Sequence, residues 1–347
     1  MKAKTQIVYL NLSDPFGVAP YTRVKKQNVI LTIEDGDGIY YGEASPSRYY
    51  SETLATVREA FKEAKNLLIE KDLFYIEDLM ERVKARIPRA NACRAMIEMA
   101  VFDYIGKKLD LPLYKLLGLR PPDGMLTSFT IGIDTMDIML EKVDKAKDYP
   151  VLKIKLGRDA KHDIEVMKRI RARTDRVLRV DANGGWTPDV AIKCIKVLAD
   201  LGVEYVEQPL ATGSLRLLRD VKKKSPLPIY VDEDVHRCDT FPELLEVCDG
   251  INLKLIKTGG ILEARRMVAN ARTFGLKTMM GCMLETGVAI TAAAHIGSLF
   301  DHLDLDGNLL LSNDPFDGVA VKNGALKMPD RPGLGVVPNQ NYIPKSR

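Results

Sequence analysis

Cysteine, histidine and long apolar runs are scarce in this chain of 347 residues, and each shortage excludes a class of protein. The five cysteines are scattered and form no C-x-x-C pair, which argues against a disulfide framework and favours a reducing compartment. The four histidines lack a metal-type spacing. The most apolar late stretch, 287–300, is short and carries Thr291 and His295, so no membrane span is expected. Since no secretory signal is visible either, we expect a cytoplasmic protein.

Charge of one sign is also lacking. Lysine and arginine total 51 and aspartate and glutamate 47, and the net charge of +4 is too small and dispersed to indicate a nucleic-acid partner. Hydrophobic residues make up 46%, an ordinary value for a globular protein. The length predicts two domains, or one barrel with an addition. We expect a small-molecule partner, no nucleic acid, no membrane, and assembly as a homo-oligomer.

The first third, residues 1–122, shows the pattern of an α+β domain. Two loops with proline, glycine or aromatic residues, Ser13–Arg23 and Gly42–Tyr50, are expected to be surface turns or lids. The predicted strands are Gln6–Asn11, Asn28–Ile33 and Ile39–Tyr41, and the predicted helices are Glu52–Lys71, Ile76–Arg86 and Ala90–Lys108. The cluster Pro121-Pro122-Asp123-Gly124 marks the expected boundary.

From residue 123 to residue 318 short β-branched runs alternate with helical patterns. Strands are predicted at Ser128–Ile133, Val151–Leu156, Val177–Ala182, Val203–Gln208, Ile229–Glu233, Ile251–Leu255, Thr278–Cys282 and near Leu303–Asp306. The helices between them are predicted at Lys161–Arg173, Pro188–Leu201, Leu215–Lys224, Leu262–Phe274 and Val288–Phe300. Strands joined by crossover helices pair in parallel, and their economical closure is a (β/α)8-type α/β barrel.

Polar residues recur at the ends of these strands. Alone, Lys153-Ile154-Lys155 would most simply be an edge strand with its lysines in water. Asp181, Glu207, Asp232 and Lys254 follow at intervals of about one strand plus one helix, however. Because the carboxyl ends of barrel strands meet at one mouth, we expect these side chains to converge there.

The chemistry of such a cluster is specific. Three converging carboxylates, Asp181, Glu207 and Asp232, would repel one another without a cation, and an all-oxygen ligand set favours Mg²⁺ over zinc. Lys155 and Lys254 are four strands apart in a ring of eight and would flank a substrate. One lysine could remove an α-proton and the other return a proton to the opposite face, with the enediolate charge stabilised by the metal.

These residues resemble the enolase superfamily, and within it the muconate-lactonizing-enzyme-like subgroup. The matching motifs are Lys153-Ile154-Lys155, Asp181-Ala182-Asn183, Glu207-Gln208-Pro209, Asp232-Glu233 and Asn252-Leu253-Lys254. Dipeptide epimerases are the most similar members, because of Asp304-Leu305-Asp306 and the stretch 281–286. The resemblance implies a modified barrel, (β/α)7β, with an N-terminal capping domain of residues 1–122 completed by residues 319–347.

The resemblance also implies residue roles. Lys155 and Lys254 become the acid/base pair, Asp181, Glu207 and Asp232 the Mg²⁺ ligands, and Asp304 and Asp306 the site for the ammonium group of a dipeptide. Lys153 is expected to lower the pKa of Lys155 and to contact the substrate carboxylate. Three further substrate contacts and two supporting residues are expected: Tyr21, Arg23 and Thr130, and Asn183 and Glu233. Lys257 is left out, because a continuing strand would turn it to the other face.

Several alternatives stay open. The default substrate implied by the resemblance is L-Ala-D/L-Glu from peptidoglycan turnover. The arginine that reads glutamate in such enzymes is replaced here by Tyr21. Arg23, two residues later, could still reach an anionic side chain, and a tyrosine lid over an apolar or small side chain is equally compatible. A lyase or cycloisomerase, such as an o-succinylbenzoate synthase, could use the same scaffold. A non-catalytic binding barrel is disfavoured by the complete set of lysines and carboxylates.

Overall fold

The capping domain is an antiparallel sheet packed on helices. The computed structural model describes residues 1–19, 21–70, 72–235, 240–340 and 342. Its first elements are β1 Lys2–Val18, β2 Tyr21–Glu34, β3 Ile39–Ala44, α1 Leu54–Glu70, α2 Ile76–Arg86, α3 Asn91–Lys108 and α4 Leu113–Leu116. The three predicted helices are confirmed to within a few residues at each end.

The stretch Ser13–Arg23 was predicted to be a loop, and this prediction is wrong. The two strands β1 and β2 form one long hairpin whose pairing continues to Val18 and Tyr21, with a register shift between Asn11 and Phe16. Pro15 lies in the interrupted part of the ladder, where its missing N–H costs no strand hydrogen bond. The hairpin tip is fixed to the barrel, because the backbone N–H of Ile133 donates to the carbonyl of Gly17 over 2.8 Å.

Helix α3 forms the core of the capping domain. Fourteen of its residues are buried, and it packs directly on β3. A Cβ at Gly42 would lie 1.9 Å from the carbonyl oxygen of Met96 on α3. Only glycine allows the strand and the helix to approach this closely.

The second domain is the predicted barrel. The alternating elements are β4 Phe129–Ile131, α5 Met136–Lys145, β5 Val151–Lys155, α6 Ala160–Arg171, β6 Val177–Asp181, α7 Pro188–Asp200, β7 Val203–Glu207, α8 Leu215–Lys224, β8 Ile229–Val231, α9 Phe241–Leu244, β9 Gly250–Leu253, α10 Leu255–Thr258, α11 Ile261–Thr273, β10 Lys277–Met280, α12 Gly287–Ala294 and β11 His302–Leu303. All eight strands pair in parallel in sequence order. The backbone N–H of Ser128 donates to Leu303 over 3.1 Å, which closes the ring.

Most observed strands are shorter than predicted, and the last predicted helix ends early. Helix α12 stops at Ala294 and is followed by a separate 3-10 turn, Gly297–Leu299. The remaining strands are β12 Phe316–Asp317, β13 Ala320–Lys322, β14 Ala325–Lys327 and β15 Val337–Pro338. In the described part of the chain, no helix has both the length and the apolar content needed to cross a bilayer.

The C-terminal segment returns to the capping helices. The backbone N–H of Leu334 donates to Asp103 on α3 over 2.8 Å, and that of Leu113 donates to Gly333 over 2.9 Å. These contacts agree with a capping domain completed by the C-terminal residues. The boundaries at 122 and 319 stay predictions.

The barrel interior below the mouth is filled by aromatic and charged side chains. Tyr205 and Tyr230 stack with ring centres 4.2 Å apart, and the guanidinium of Arg179 lies 2.9 Å from the ring of His302. Strand side chains alternate, so Arg179, Tyr205 and Tyr230 face inward two positions before the predicted metal ligands, and His302 does so two positions before Asp304. The barrel is therefore filled below its mouth, and the side chains that could act on a substrate lie at the mouth.

Candidate active site

The mouth of the barrel gathers the predicted carboxylates in a row. Pairing of β5, β6 and β7 sets Lys155 beside Asp181 and Asp181 beside Glu207. Asp232 follows immediately after β8. Asp181, Glu207 and Asp232 are all completely buried. Burial and then the charge of Asp181 raise the pKa of Glu207, which is the expected result of crowding carboxylates.

Lys153 lies at the centre of this row. Its Nζ is 2.7 Å from Glu207, 2.7 Å from Asp304 and 3.3 Å from Asp181. Burial disfavours its charge, but these carboxylates outweigh burial and hold the pKa of Lys153 well above its ordinary value. Lys153 is therefore an ammonium group that binds β5 to β7 and to the segment after β11.

Lys155 occupies one side of the mouth. Its Nζ donates to Asp181 Oδ2 over 2.5 Å. The other oxygen of Asp181 accepts the backbone N–H of Asn183 over 2.8 Å, and the amide of Asn183 reaches Glu233 over 3.3 Å. Burial, followed by the charge of Asp232, raises the pKa of Glu233 to about 8. Asn183 and Glu233 thus lie beside the carboxylate row, where the sequence predicted them.

Lys254 occupies the other side, and it has an unpredicted companion. The Nζ of Lys254 lies 2.6 Å from Asp232 Oδ2, and Nζ of Lys257 lies 2.6 Å from Asp232 Oδ1. Lys257 also donates to the carbonyls of Asp232 and Asn252, each over 2.6 Å. Omitting Lys257 was therefore wrong. The strand ends at Leu253, and the helical turn α10 brings the residue three positions after Lys254 back to the same side.

Asp304 and Asp306 follow β11 as predicted, but they are not equivalent. Asp304 accepts from Ser128 Oγ over 2.5 Å and from Lys153 over 2.7 Å. Asp306 accepts the backbone N–H of Thr130 over 2.6 Å. Burial and then the neighbouring Asp304 raise the pKa of Asp306 to about 7. Asp304 therefore has a lysine partner, whereas Asp306 has none among the described residues.

A cavity of about 770 Å³, measured out to the solvent at its opening, covers these residues. Lys155 and Lys254 both line it, as do Thr130 and Asp306 from the barrel. The capping domain supplies the other wall: Phe16, Tyr21, Arg23, Lys26, Tyr49 and Tyr50. The Arg23 guanidinium lies 4.5 Å above the Tyr21 ring and donates to the Tyr21 hydroxyl over 2.8 Å.

The carboxylate row matches a hard divalent cation in chemistry. Asp181, Glu207 and Asp232 offer only oxygen atoms, the ligands that Mg²⁺ prefers. In the part of the chain that the structure describes, no three acidic, histidine or cysteine side chains are grouped closely enough to hold one ion. The reason is visible in the contacts, because each carboxylate lies against a lysine. The donor set and its position fit the metal.

Four functional candidates were missed by sequence reasoning. Lys257, Asn252, Ser128 and Lys26 each contact or line the site. The amide of Asn252 donates to Glu207 over 2.7 Å, and its position on the predicted strand, two residues before Lys254, could have identified it. Lys26 gave no signal, because only the fold brings its strand to the cavity.

Comparison with known proteins gives consistent matches over nearly the whole chain. Residues 2–118 match the family model "Mandelate racemase / muconate lactonizing enzyme, N-terminal domain", and residues 138–342 match "Enolase C-terminal domain-like". An L-Ala-D/L-Glu epimerase of Bacteroides thetaiotaomicron is 40% identical over 330 residues, 94% of this chain and 85% of that protein.

Two further relatives are similar over greater lengths of their own chains. A hydrophobic dipeptide epimerase of a Flavobacteria bacterium (strain MS024-2A) is 37% identical and covers 99% of both chains. The solved dipeptide epimerase of Enterococcus faecalis V583, complexed with Mg and L-Leu-L-Tyr, has a TM-score of 0.91 at 34% identity, covering 96% of this chain and 98% of that chain. Since these relatives carry different substrate names, side-chain preference has to be sought in the cavity.

Proposed function

This chain belongs to the enolase superfamily, as its motifs predicted, and from that membership we propose that it is a magnesium-dependent dipeptide epimerase. The proposed reaction inverts the α-carbon of the C-terminal residue of a dipeptide. The expectations of an epimerase and of magnesium agree with the relatives.

One observation carries the proposal: two lysines enter a single cavity from strands on opposite sides of the barrel. Lys155 lies on β5 and Lys254 directly after β9, four strands along the sheet. A substrate between them would have one amino group on each face of its α-carbon. One Nζ removes the α-hydrogen, and the other Nζ delivers a proton to the opposite face.

The carboxylate row supports this transfer. Asp181 and Asp232 hold the two lysine side chains in place through contacts of 2.5 and 2.6 Å. Asp181, Glu207 and Asp232 would also hold the magnesium ion, whose charge stabilises the negative charge that develops on the substrate carboxylate. Lys153 adds a fixed positive charge beside the same group.

The substrate ammonium is assigned to Asp306, with Asp304 behind it. Asp306 is buried and lies beside Thr130. A bound ammonium would supply the counter-charge that Asp306 lacks. L-Ala-D/L-Glu from peptidoglycan turnover is the default substrate that we propose, for an enzyme that acts in the cytoplasm as a homo-oligomer. We also propose the division into residues 1–122 with 319–347 and residues 123–318.

Deuterium uptake tests the proposal. Dipeptides are incubated with the protein and Mg²⁺ in heavy water, and α-deuterium is measured by mass for each epimer. The wild type should exchange the α-proton of the C-terminal residue, and a chelator should abolish the exchange. Lys155→Ala and Lys254→Ala should each lower it about 10²- to 10⁴-fold, with opposite preference for the two epimers.

Lys161→Ala is the control, because this lysine is exposed on α6. It should exchange at the wild-type rate. Dehydration or cycloisomerisation of a substrate without dipeptide exchange would overturn the proposal in favour of a lyase or cycloisomerase. Full exchange by both lysine variants would exclude the two-lysine mechanism.

A further inference from the structure

Asp163 is a buried acidic residue outside the barrel mouth, and the catalytic scheme does not use it. It lies in the first turn of α6, the helix that follows the strand of Lys155, and only 1% of its surface is exposed. Burial of a carboxyl group costs free energy unless its oxygen atoms receive hydrogen bonds. The groups that donate to Asp163 therefore decide what this carboxyl contributes.

Two loops at the mouth donate hydrogen bonds to Asp163. The backbone N–H of Gly157, two residues after Lys155, donates to Asp163 Oδ2 over 2.9 Å. The indole N–H of Trp186, in the loop after β6, donates to the same oxygen over 2.8 Å. Trp186 is itself anchored, because its backbone N–H donates to the carbonyl of Pro209 over 3.2 Å. Since both donors meet at one oxygen atom, the loops after β5 and β6 are held at a fixed separation.

The two loops also approach each other closely. A Cβ on Gly157 would lie 2.3 Å from the carbonyl oxygen of Ala182, and a Cβ on Gly185 would lie 2.2 Å from the carbonyl oxygen of Gly157. Only glycine allows two backbones to come this close. The chain after β5 is therefore packed directly against the chain after β6, and a shift of one loop displaces the other.

Lys155 depends on its backbone for its position. It is the last residue of β5, and among the described residues its side chain has one partner, Asp181. Asp181 is also a proposed magnesium ligand, so its oxygen atoms would be shared with the ion. Lys153, two residues earlier, has three carboxylate partners. The strand ladder supports Lys155 from one side, and the contact between Asp163 and Gly157 supports it from the other.

We infer that Asp163 is a positioning residue for Lys155, because it fixes the backbone from which this lysine reaches the α-carbon. The inference rests on the proposed two-lysine epimerase. The described partners of Asp163 lie on α6 and on the loops after β5 and β6, and none lies on the strand or turn of Lys254. Loss of Asp163 therefore impairs one lysine and spares the other, which a general loss of stability would not do.

Deuterium uptake from each epimer tests the inference at saturating Mg²⁺. Inversion needs both lysines, and its equilibrium constant fixes the ratio of kcat/KM in the two directions. The α-deuterium that a starting epimer gains, counted in both epimers after the reaction, instead reports the lysine that faces that epimer. Lys155→Ala identifies the epimer whose uptake depends on Lys155.

Asp163→Leu is the main variant, because leucine is similar in size to aspartate but accepts no hydrogen bond. It should lower kcat for uptake from the Lys155-dependent epimer about 10- to 100-fold, since small displacements of a catalytic group cost this much in rate. Uptake from the other epimer should change less than about threefold, and so should KM for both epimers.

Two further variants separate positioning from folding. Asp163→Asn keeps an acceptor oxygen for both N–H groups, and it should exchange each epimer within about threefold of the wild-type rate. Trp186→Phe removes one donor and leaves the carboxyl in place, so the same asymmetry should appear at about three- to tenfold. If Asp163→Leu does not fold, Trp186→Phe decides, and equal uptake from both epimers in that variant would contradict the inference.

Asp159→Ala is the matched control. Asp159 caps the same helix by accepting the backbone N–H of His162 over 2.8 Å, and no described hydrogen bond joins it to Gly157 or Trp186. It should show no asymmetry between epimers. Equal losses from both epimers in Asp163→Leu, or the same asymmetry in Asp159→Ala, would overturn the role of Asp163 and leave the epimerase proposal intact. A wild-type protein that exchanges no dipeptide would instead contradict the epimerase function on which this role rests.

Discussion

At the scale of single residues, the site is built from short contacts between lysines and carboxylates in a buried setting. Lys257 shows this most clearly, because its Nζ has three acceptors at 2.6 Å and no exposed surface. Two of these acceptors belong to Asp232, the carboxylate that also holds Lys254. Lys257 therefore fixes the position of a proposed metal ligand and, through it, of a proposed catalytic lysine.

Replacing Lys257 should destabilise the protein strongly. Lys257→Met removes one member of a buried pair and takes a donor away from two carbonyls and a carboxylate oxygen, which costs about 3–5 kcal/mol. Urea unfolding of the variant and the wild type measures this difference. Lys145→Met is the matched control: Lys145 and its partner Glu141 are both exposed, and we expect the variant to unfold at the same urea concentration as the wild type. Equal stability of the two variants would contradict this view of Lys257.

The residue pattern explains which of these groups could be predicted. Lys153, Lys155, Asp181 and Glu207 stand on strands, where a period of two fixes the face that a side chain takes. Lys257 was not predicted to lie at the site, because the chain changes from strand to helix between Lys254 and Lys257. Lys26 was not predicted for another reason: its burial depends on the packing of two domains, which no local sequence pattern encodes.

At the scale of elements, the turn that carries Lys254 is held by the capping domain. Glu98 on α3 accepts the backbone N–H groups of Ile261 and Leu262, the first residues of α11, the latter over 3.0 Å. Gly260 precedes this helix with φ of +137°. A Cβ at Gly260 would lie 1.5 Å from an oxygen of Glu98, so the cap requires glycine there.

Substitution of Gly260 should therefore lower the stability of the protein by more than the strain of its backbone conformation alone. Gly275, just beyond the other end of α11, has φ of +73° and open space around its Cβ position. Gly275→Ala should lower stability by about 1–2 kcal/mol, the cost of a left-handed conformation. Gly260→Ala should cost at least about 1 kcal/mol more, because it also displaces the Glu98 cap. Thermal unfolding of both variants measures the difference, and equal losses would show that the cap contributes nothing.

The elements themselves were largely predictable. Eight strands and the helices between them follow from hydrophobic period and turn residues, and errors at their ends are a few residues. The hairpin of β1 and β2 was not predicted beyond Asn11. Its extension depends on the backbone contact between Gly17 and Ile133 of the barrel, a tertiary interaction that overrides the loop signal of Pro15.

At the scale of the whole molecule, buried carboxyls of the capping domain cap helices of the barrel. Glu98 caps α11, and Glu43 on β3 accepts the backbone N–H groups of Thr286 and Ala289 at the start of α12, over 2.9 and 3.1 Å. Both carboxyls are completely buried. Burial raises the pKa of both groups, and that of Glu98 reaches about 8. The junction of the two domains thus binds protons more tightly than the unfolded chain does.

This difference predicts how stability depends on pH. In the unfolded chain the Glu98 carboxyl has its ordinary pKa of 4.5, so between pH 4.5 and about 8 the folded protein holds a proton that the unfolded chain releases. The stability that Glu98 contributes is therefore fully present below pH 4.5 and is lost as pH rises to about 8. Glu98→Gln, which cannot titrate, should lower stability at pH 5 through the altered cap, and its deficit should shrink steadily up to pH 8 and then stay constant. Urea unfolding of both proteins at pH 5, 6, 7, 8 and 9 measures this trend. A stability deficit of Glu98→Gln that does not depend on pH would contradict it. Glu98 would then be ionised over this whole range, because the helix dipole of α11 outweighs the effect of burial.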